Sequence, residues 1–392
     1  MDVESYKMIS TYDDIIEYWN YFDGNAWSEY TDIDDRINTD SCSLDWCEQA
    51  YGGPRLNEPY LAVNICTYHR LDEVRRNVNI LLESKFFDKN KTQFYGHLHI
   101  YVTDNGCELS VCDDELIHIQ HNRNTGGSGG FQKGLEWIRE SKIPFTHVIF
   151  MDDDVEFDIE TFYRLYLFLC HLKEEYEDFP IAGRMFRKDR PYIQYTAAEI
   201  WNRGDIMHIG FNLDMRDTAN LTFVNENMEA EYGGFWFCCY PMSFAKENDI
   251  MPFFIHCDDV EYGLRCGKTP IILNGIQVWH ETYEYRQTPI INYYDTRNPL
   301  FVNEKYDLLP KPQIMLDIWK DKITDFHVKK DYESEYYTIL GMHDFLKGIK
   351  WLEKVDSCKK HKRLQNAKIC RYKNSVLWRV TQWKLKRKYG FN

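Results

Sequence analysis

The stretch His147-Val-Ile-Phe-Met-Asp-Asp-Asp-Val-Glu-Phe-Asp158 decides the fold. Val148 to Met151 has the length and β-branched content of a buried strand. It stops at three consecutive carboxylates, Asp152, Asp153 and Asp154. Adjacent like charges repel, so the trio is costly unless something cationic sits among them. Hard divalent ions take oxygen ligands, and Mg²⁺ is usually held by one or two carboxylates plus substrate phosphates. In open α/β sheets, ligands bind beyond the carboxyl ends of the strands. An acidic turn after a strand would look the same in isolation, so the flanking chain carries the decision.

Upstream, Leu61–Cys66, His97–Val102 and Leu116–Gln120 read as strands. Leu71–Leu82 and Phe131–Glu140 have helical spacing. Strands alternating with helices, and ending in polar residues, predict an α/β nucleotide-binding sheet. Downstream, residues 159–174 predict an amphipathic helix and Ile276–His280 a short strand.

Four further motifs offer chemistry. The glycine-rich segment Asn124-Thr-Gly-Gly-Ser-Gly-Gly130 matches neither Gly-x-x-x-x-Gly-Lys-Ser/Thr nor Gly-x-Gly-x-x-Gly. It still permits close backbone approach to a ligand, and it opens a helix whose N-terminus favours anions; a flexible turn is the plain alternative. Asp258-Asp259-Val260-Glu261 is either an acidic first turn favoured by the helix dipole or the seat of a general base. His280 ends a strand as Asp152 does, and becomes a metal-ligand candidate if both tips face one cleft. Gly233-Gly-Phe-Trp-Phe237 is either core packing or a wall on which a sugar ring stacks.

Composition narrows the class. The 392 residues suffice for one large domain with appendages or for two domains. A net charge of −15 argues against a general nucleic-acid binder. Twelve cysteines without a Cys-x-x-Cys pair exclude thiolate-metal spacing. The acidic N-terminus does not read as a secretory signal, and no apolar run reaches a membrane span, so reduced thiols in the cytoplasm are the expectation. From Lys347 onward there are 15 Lys/Arg against two acids, a net of +13, so the residues before it carry −28. That basic tail, interleaved with Trp351, Leu352, Leu377, Trp378, Trp383 and Leu385, predicts helices that meet an anionic membrane surface, pack on the acidic body or mediate homo-oligomerisation. The expected plan is an N-terminal extension (1–58), an α/β domain (59–305) and a helical basic region (306–392).

Taken in order, Thr67-Tyr-His-Arg70, Thr103-Asp-Asn-Gly106, Asn124–Gly130, Phe150-Met-Asp-Asp-Asp154, Gly234-Phe-Trp-Phe-Cys238, Asp258-Asp-Val-Glu-Tyr-Gly-Leu-Arg265 and Trp279-His280 resemble glycosyltransferase family 2. Within that family they resemble the galactofuranosyltransferases of the cell-wall galactan type, over about residues 60–300. The resemblance implies a GT-A fold, a Rossmann-like and mostly parallel sheet that binds a nucleotide sugar and Mn²⁺ or Mg²⁺. It implies Asp152, Asp154 and His280 as metal ligands and Asp259 as catalytic base. Thr67, Arg70, Asp104, Asn124, Gly126 and Asp153 match nucleotide- and donor-binding positions. Phe235, Trp236 and Asp258 match acceptor-binding positions, with Phe235 where the family has Trp and His69 where it has Asn.

The implied activity is metal-dependent, inverting transfer of galactofuranose from UDP-galactofuranose to a hydroxyl of a lipid-linked glycan acceptor, in cell-surface polysaccharide synthesis at the inner face of the membrane. The same chemistry with another nucleotide sugar, such as a rhamnose donor, and a non-catalytic glycan- or nucleotide-binding protein on the same fold are the alternatives. A metal-dependent phosphohydrolase or nuclease fits the glycine-rich segment and the aromatic-plus-acid pair poorly.

Overall fold

The computed structural model describes residues 57–217, 219–220, 229–282 and 288–391. All but the last two residues of the expected N-terminal extension therefore lie outside the described residues.

The chain opens with β1 (Leu61–Thr67), α1 (Leu71–Leu82), β2 (Leu98–Asp104), β3 (Cys112–Asp113), β4 (Ile117–His121), α2 (Gly126–Glu140) and β5 (His147–Asp152). Then follow α3 (Glu160–Cys170), β6 (Ile181–Arg187), β7 (Ile193–Thr196), β8 (Glu199–Asn202), β9 (Asp205–His208), β10 (Leu213–Asp214) and β11 (Phe237–Pro241). The remainder is α4 (Met242–Ala245), α5 (Asp258–Cys266), β12 (Ile271–His280) and the helices α6 (Ile291–Lys305), α7 (Pro312–Val328), α8 (Tyr332–Phe345), α9 (Ile349–Lys354), α10 (Ser357–Gln365) and α11 (Arg371–Tyr389).

One large sheet runs in the order β10-β7-β6-β11-β5-β1-β2-β4-β3, with β12 paired to β6. Its centre, β5-β1-β2-β4, is parallel. Antiparallel strands extend it on both sides, with β11 joining β5 to β6 and β3 closing the far edge. The architecture is thus the expected Rossmann-like α/β sheet, mixed at its margins.

Alternation along β1 shows why these residues make a two-sided strand. Leu61, Val63 and Ile65 point into the apolar layer that includes Val74 and Leu81 of α1 and Phe162 of α3. Ala62 faces the other layer with Phe131 and Leu135 of α2. Period-2 burial on both faces is what a central parallel strand demands. Asn64 is the polar exception, and its Nδ2 donates to the Phe131 carbonyl at 2.8 Å.

The connection from β1 to β2 runs one way along the sheet, while β4 to β5 returns to the opposite side of β1. The sheet's switch point therefore lies between β1 and β5, where Cys66 is in register with Asp152. Crevices at such points are the ligand sites of open α/β sheets.

The C-terminal helices are not a loose appendage. Phe301 and Val302 of α6, Trp319 of α7, Ile339 and Met342 of α8, Leu352 of α9 and Leu385 of α11 share one apolar cluster. That cluster also takes in Tyr232, Phe253 and Val260 from the sheet-bearing part, so the helical layer is seated directly behind α5. Among the described residues no helix is long and apolar enough to cross a membrane. The ten described cysteines are all free thiols.

Candidate active site

The tip of β5 and the tip of β12 meet. Glu156 and Trp279 form an isolated antiparallel bridge, with N–H···O distances of 2.8 and 2.7 Å in the two directions. That bridge fixes the next residue, His280, against the acidic turn. Its Nε2 lies 3.0 Å from Asp154 Oδ1 and 3.6 Å from Asp152 Oδ2. Asp152, Asp154 and His280 each offer a ligand atom, and these atoms all lie within 4.8 Å of one another. Two carboxylates and an imidazole are a donor set that Mn²⁺ accepts readily, and two carboxylate oxygens with room for phosphates suit Mg²⁺. The residues present therefore fit the metal that the sequence called for.

Asp153 turns the other way. Its Oδ1 accepts from Arg70 Nη1 at 2.8 Å, and the same nitrogen is 2.9 Å from Asp154 Oδ2. Burial pushes the Asp153 carboxyl up, and Arg70 pulls it back without fully compensating. Arg70 thus neutralises part of the acidic turn.

Beside these groups is a cavity of about 450 Å³. Its walls include Arg70, Asp152 and Asp153 at the strand tips, Asn124 and Gly126 of the glycine-rich segment, Phe235 and Trp236 before β11, and Asp258 and Asp259 at the start of α5. The fold therefore brings nine of the sequence-derived candidates to one hollow. Thr67, Asp104, Asp154 and His280 are not on its wall, the last two being joined to it through Asp152. Thr67 is buried at the end of β1, and both Asp104 oxygens are occupied by the N–H groups of Gly106, Glu108 and Leu109 at 2.6–2.8 Å. Asp104 thereby shapes the loop that presents Asn105, which does line the cavity.

The glycines have a structural cause. Gly126 has φ +73°, and a Cβ there would fall 2.0 Å from the Phe254 carbonyl oxygen. A left-handed backbone with no room for a side chain leaves glycine as the fitting residue. Further along α2, a Cβ at Gly130 would strike Cys66 and one at Gly134 would strike Asn64. Glycines four apart on one helix face let α2 lie close on β1 and bring its N-terminus to the cavity.

Asp259 is half-buried on the wall. Burial first, then the neighbouring carboxylates Asp258 and Glu199, drive its carboxyl well above the usual range. A carboxyl so strongly shifted in a cleft marks a candidate functional position. The chain leading to it is strained: Phe254, His256 and Cys257 all have φ between 64° and 78°. Side chains of α6 hold that conformation. Asn298 Nδ2 donates to the carbonyls of Ile255 (2.6 Å) and His256 (3.0 Å), Arg297 Nη2 donates to that of Phe253 (2.5 Å), and His256 Nδ1 pairs with Asp295 at 2.5 Å. Backbone strain of this kind persists where surrounding structure over-determines it, typically at functional sites.

Phe235 and Trp236 both line the cavity and both pack on the core, Phe235 the more deeply. Phe235 is buried, stacked on Phe150 with ring centres 4.5 Å apart. Trp236 is half-buried, with Nε1 donating to the Gly183 carbonyl at 2.9 Å, which fixes its ring as a wall.

The sequence model for glycosyl transferase family 2 matches residues 62–229. That match takes in β1 to β10 and the acidic turn after β5. Galactofuranosyltransferase GlfT2 of Mycolicibacterium smegmatis is 24% identical over 207 residues, covering 48% of this chain and 31% of that protein. Its counterpart from Mycobacterium tuberculosis is 24% identical over 217 residues, covering 51% of this chain and 33% of that protein. The matched part of the chain thus spans about a third of the length of these curated relatives. A crystal structure of S. aureus TarS 1–349 overlaps with a TM-score of 0.43 at 14% identity, covering 84% of this chain and 92% of that one, too loosely to bear on the site.

Among the cavity residues that the sequence motifs did not single out are His256 and His361. His361 comes from α10, in the basic tail. Its ring stacks on Phe254 with centres 4.4 Å apart, and Nδ1 is 2.8 Å from Tyr294 Oη. No sequence signal points from a lysine-rich helix to an active site 100 residues upstream.

Proposed function

We propose that the protein is a metal-dependent inverting glycosyltransferase that moves galactofuranose from UDP-galactofuranose to a hydroxyl of a lipid-linked glycan. One observation carries the reading: the Asp152–Asp154–His280 cluster and Asp259 flank a single cavity, with Asp152 belonging to both. Asp152, Asp154 and His280 would hold Mn²⁺ or Mg²⁺, which supplies Lewis-acid neutralisation of the charge that develops on a leaving diphosphate.

The chain's own groups divide the remaining work. Arg70, on the cavity wall, would pair with a donor phosphate, and Asn124 with the α2 N-terminus would seat the nucleotide sugar. Trp236 offers a flat face for an acceptor ring, and Asp258, on the wall of the same cavity, would recognise a hydroxyl. Asp259 would take the proton from the attacking hydroxyl at its carboxylate oxygen, on the side opposite the leaving group, so that configuration inverts. Proton acceptance of this kind contributes about 10²–10⁴-fold. Residues 59–305 would form the catalytic unit and 306–392 the membrane-facing one. Galactofuranose as donor sugar rests on the two galactofuranosyltransferase relatives.

The test is turnover of a panel of UDP- and other nucleotide sugars with Mn²⁺ present. Consumption of UDP-galactofuranose above the others supports the reading. Preference for another nucleotide sugar, a rhamnose donor for example, would reassign the donor and leave the chemistry standing. No turnover of any donor, with intact nucleotide binding, would place the protein among binding modules.

A further inference from the structure

Helix α11 carries apolar residues on two faces: Leu377, Trp378, Leu385 and Tyr389 pack on the helical cluster, and a second apolar stripe faces outward. Its inward face is set by Asn374, Thr381 and Leu385, all buried. Its outward face carries Tyr372, Val376, Val380 and Trp383, exposed by 78, 43, 40 and 56%. Spacings of four, four and three residues put these four on one stripe. A surface helix normally spends such residues on the core, so an apolar stripe in solvent marks a face made for contact.

The flanks of the stripe are cationic. Arg371, Lys373, Arg379, Lys386 and Arg387 border it, and α11 contains no acid. Two other lysines of the helix are spent inward: Lys384 Nζ meets His343 at 2.8 Å and Lys388 Nζ meets Glu304 at 2.7 Å. The bordering cations, by contrast, form no ion pair among the described residues. The Arg387 guanidinium lies 5.3 Å from the centre of the Trp383 ring, so charge and apolar surface are adjacent. Next to them Trp383, Lys386, Arg387, Gly390 and Phe391 line a shallow hollow at the end of the helix. An apolar strip with Trp and Tyr, bordered by Lys and Arg that have no carboxylate partner among the described residues, is complementary to the headgroup boundary of an anionic bilayer, where rings sit at the interface and cations meet lipid phosphates.

We propose that the outer face of α11 lies flat on an anionic lipid surface, with Tyr372, Val376, Val380 and Trp383 inserted at the headgroup level and Arg379, Lys386 and Arg387 on lipid phosphates. This assigns to one helix face the membrane contact of the functional reading above and rests on that part of it. It needs no catalytic turnover to be tested.

The experiment is flotation of the full-length chain with phosphatidylcholine vesicles, with and without phosphatidylglycerol. Wild type floats with the anionic vesicles and not with the neutral ones, and added salt weakens the association. The double variants Val380→Glu/Trp383→Glu and Arg379→Glu/Arg387→Glu each bind at least about tenfold more weakly. Both change exposed positions, and unchanged thermal melting confirms that they fold. Failure of wild type to float, equal binding of variants and wild type, or a dimer in sedimentation velocity that Trp383→Glu dissolves would overturn the proposal. Loss of flotation with UDP-sugar turnover retained in the variants separates this surface from the catalytic reading.

Discussion

Glu156 and Trp279 exchange backbone hydrogen bonds across 123 positions of sequence, and that one bridge sets His280 against Asp154. The candidate metal site is therefore made by main-chain pairing two residues beyond Asp154 and one before His280. Its geometry is inherited from the sheet, because β12 is held in register beside β6 up to the His280–Arg187 pair.

Metal should stabilise the fold through that cluster. A ligand that binds only the native state adds RT ln(1 + [L]/Kd), about 2.7 kcal/mol at 100 times Kd. Mn²⁺ is expected to raise the melting temperature of wild type. Neither Asp154→Ala nor His280→Ala should show that rise, and calorimetric UDP binding by either should lose its dependence on Mn²⁺. An unchanged Mn²⁺ shift in both variants would remove the cluster from this role.

Gly126→Ala should be costly and Gly127→Ala mild. The first needs a left-handed backbone and meets the Phe254 carbonyl, while the second has nothing within 4 Å. Urea unfolding should place the first about 1–3 kcal/mol below wild type. Gly127→Ala should stay within about 0.5 kcal/mol, as surface changes usually do.

Asn298→Ala should loosen the approach to Asp259 from outside the cavity. Two part-buried carbonyls lose their shared donor, a loss of about 1–3 kcal/mol. Hydrogen exchange of the amides at 254–257 should speed up, and turnover should fall although Asn298 is not on the cavity wall.

Acid should weaken the fold before it protonates most carboxylates. Burial holds the His147 and His99 imidazoles down to about 4. The unfolded chain takes up those protons near pH 6.5, so the native state binds fewer protons between about 6.5 and 4. Stability is full above about pH 6.5 and falls as pH drops through that window. Equilibrium unfolding at a series of pH values should show the slope, and His147→Gln should reduce it.

The parallel half of the sheet was legible because its signals were local. Helix Leu71–Leu82 has the bounds that its spacing predicts, and β1, β2, β4 and β5 fall within two residues of theirs. Helix α2 begins at Gly126, five residues before the predicted start, because its glycines look like a loop and serve as a packing face. The predicted helix over 159–174 stops at Cys170. Strand β12 starts at Ile271 although only Ile276–His280 reads as strand, since Asn274 and Gly275 mimic a turn where the pairing with β6 shifts register. Strand β6 hides because its seven residues are all buried and include two arginines. In the site, motifs at strand ends could be read from their own residues. The support that α6 gives Phe253–Cys257, and the place of His361, exist only after distant helices have packed.

The most direct test of the central claim is the turnover of Asp259→Asn with UDP-galactofuranose, acceptor and Mn²⁺, measured beside its calorimetric affinity for UDP. The account predicts a kcat about 10²–10⁴-fold below wild type with UDP affinity unchanged. Wild-type turnover in that variant would contradict it.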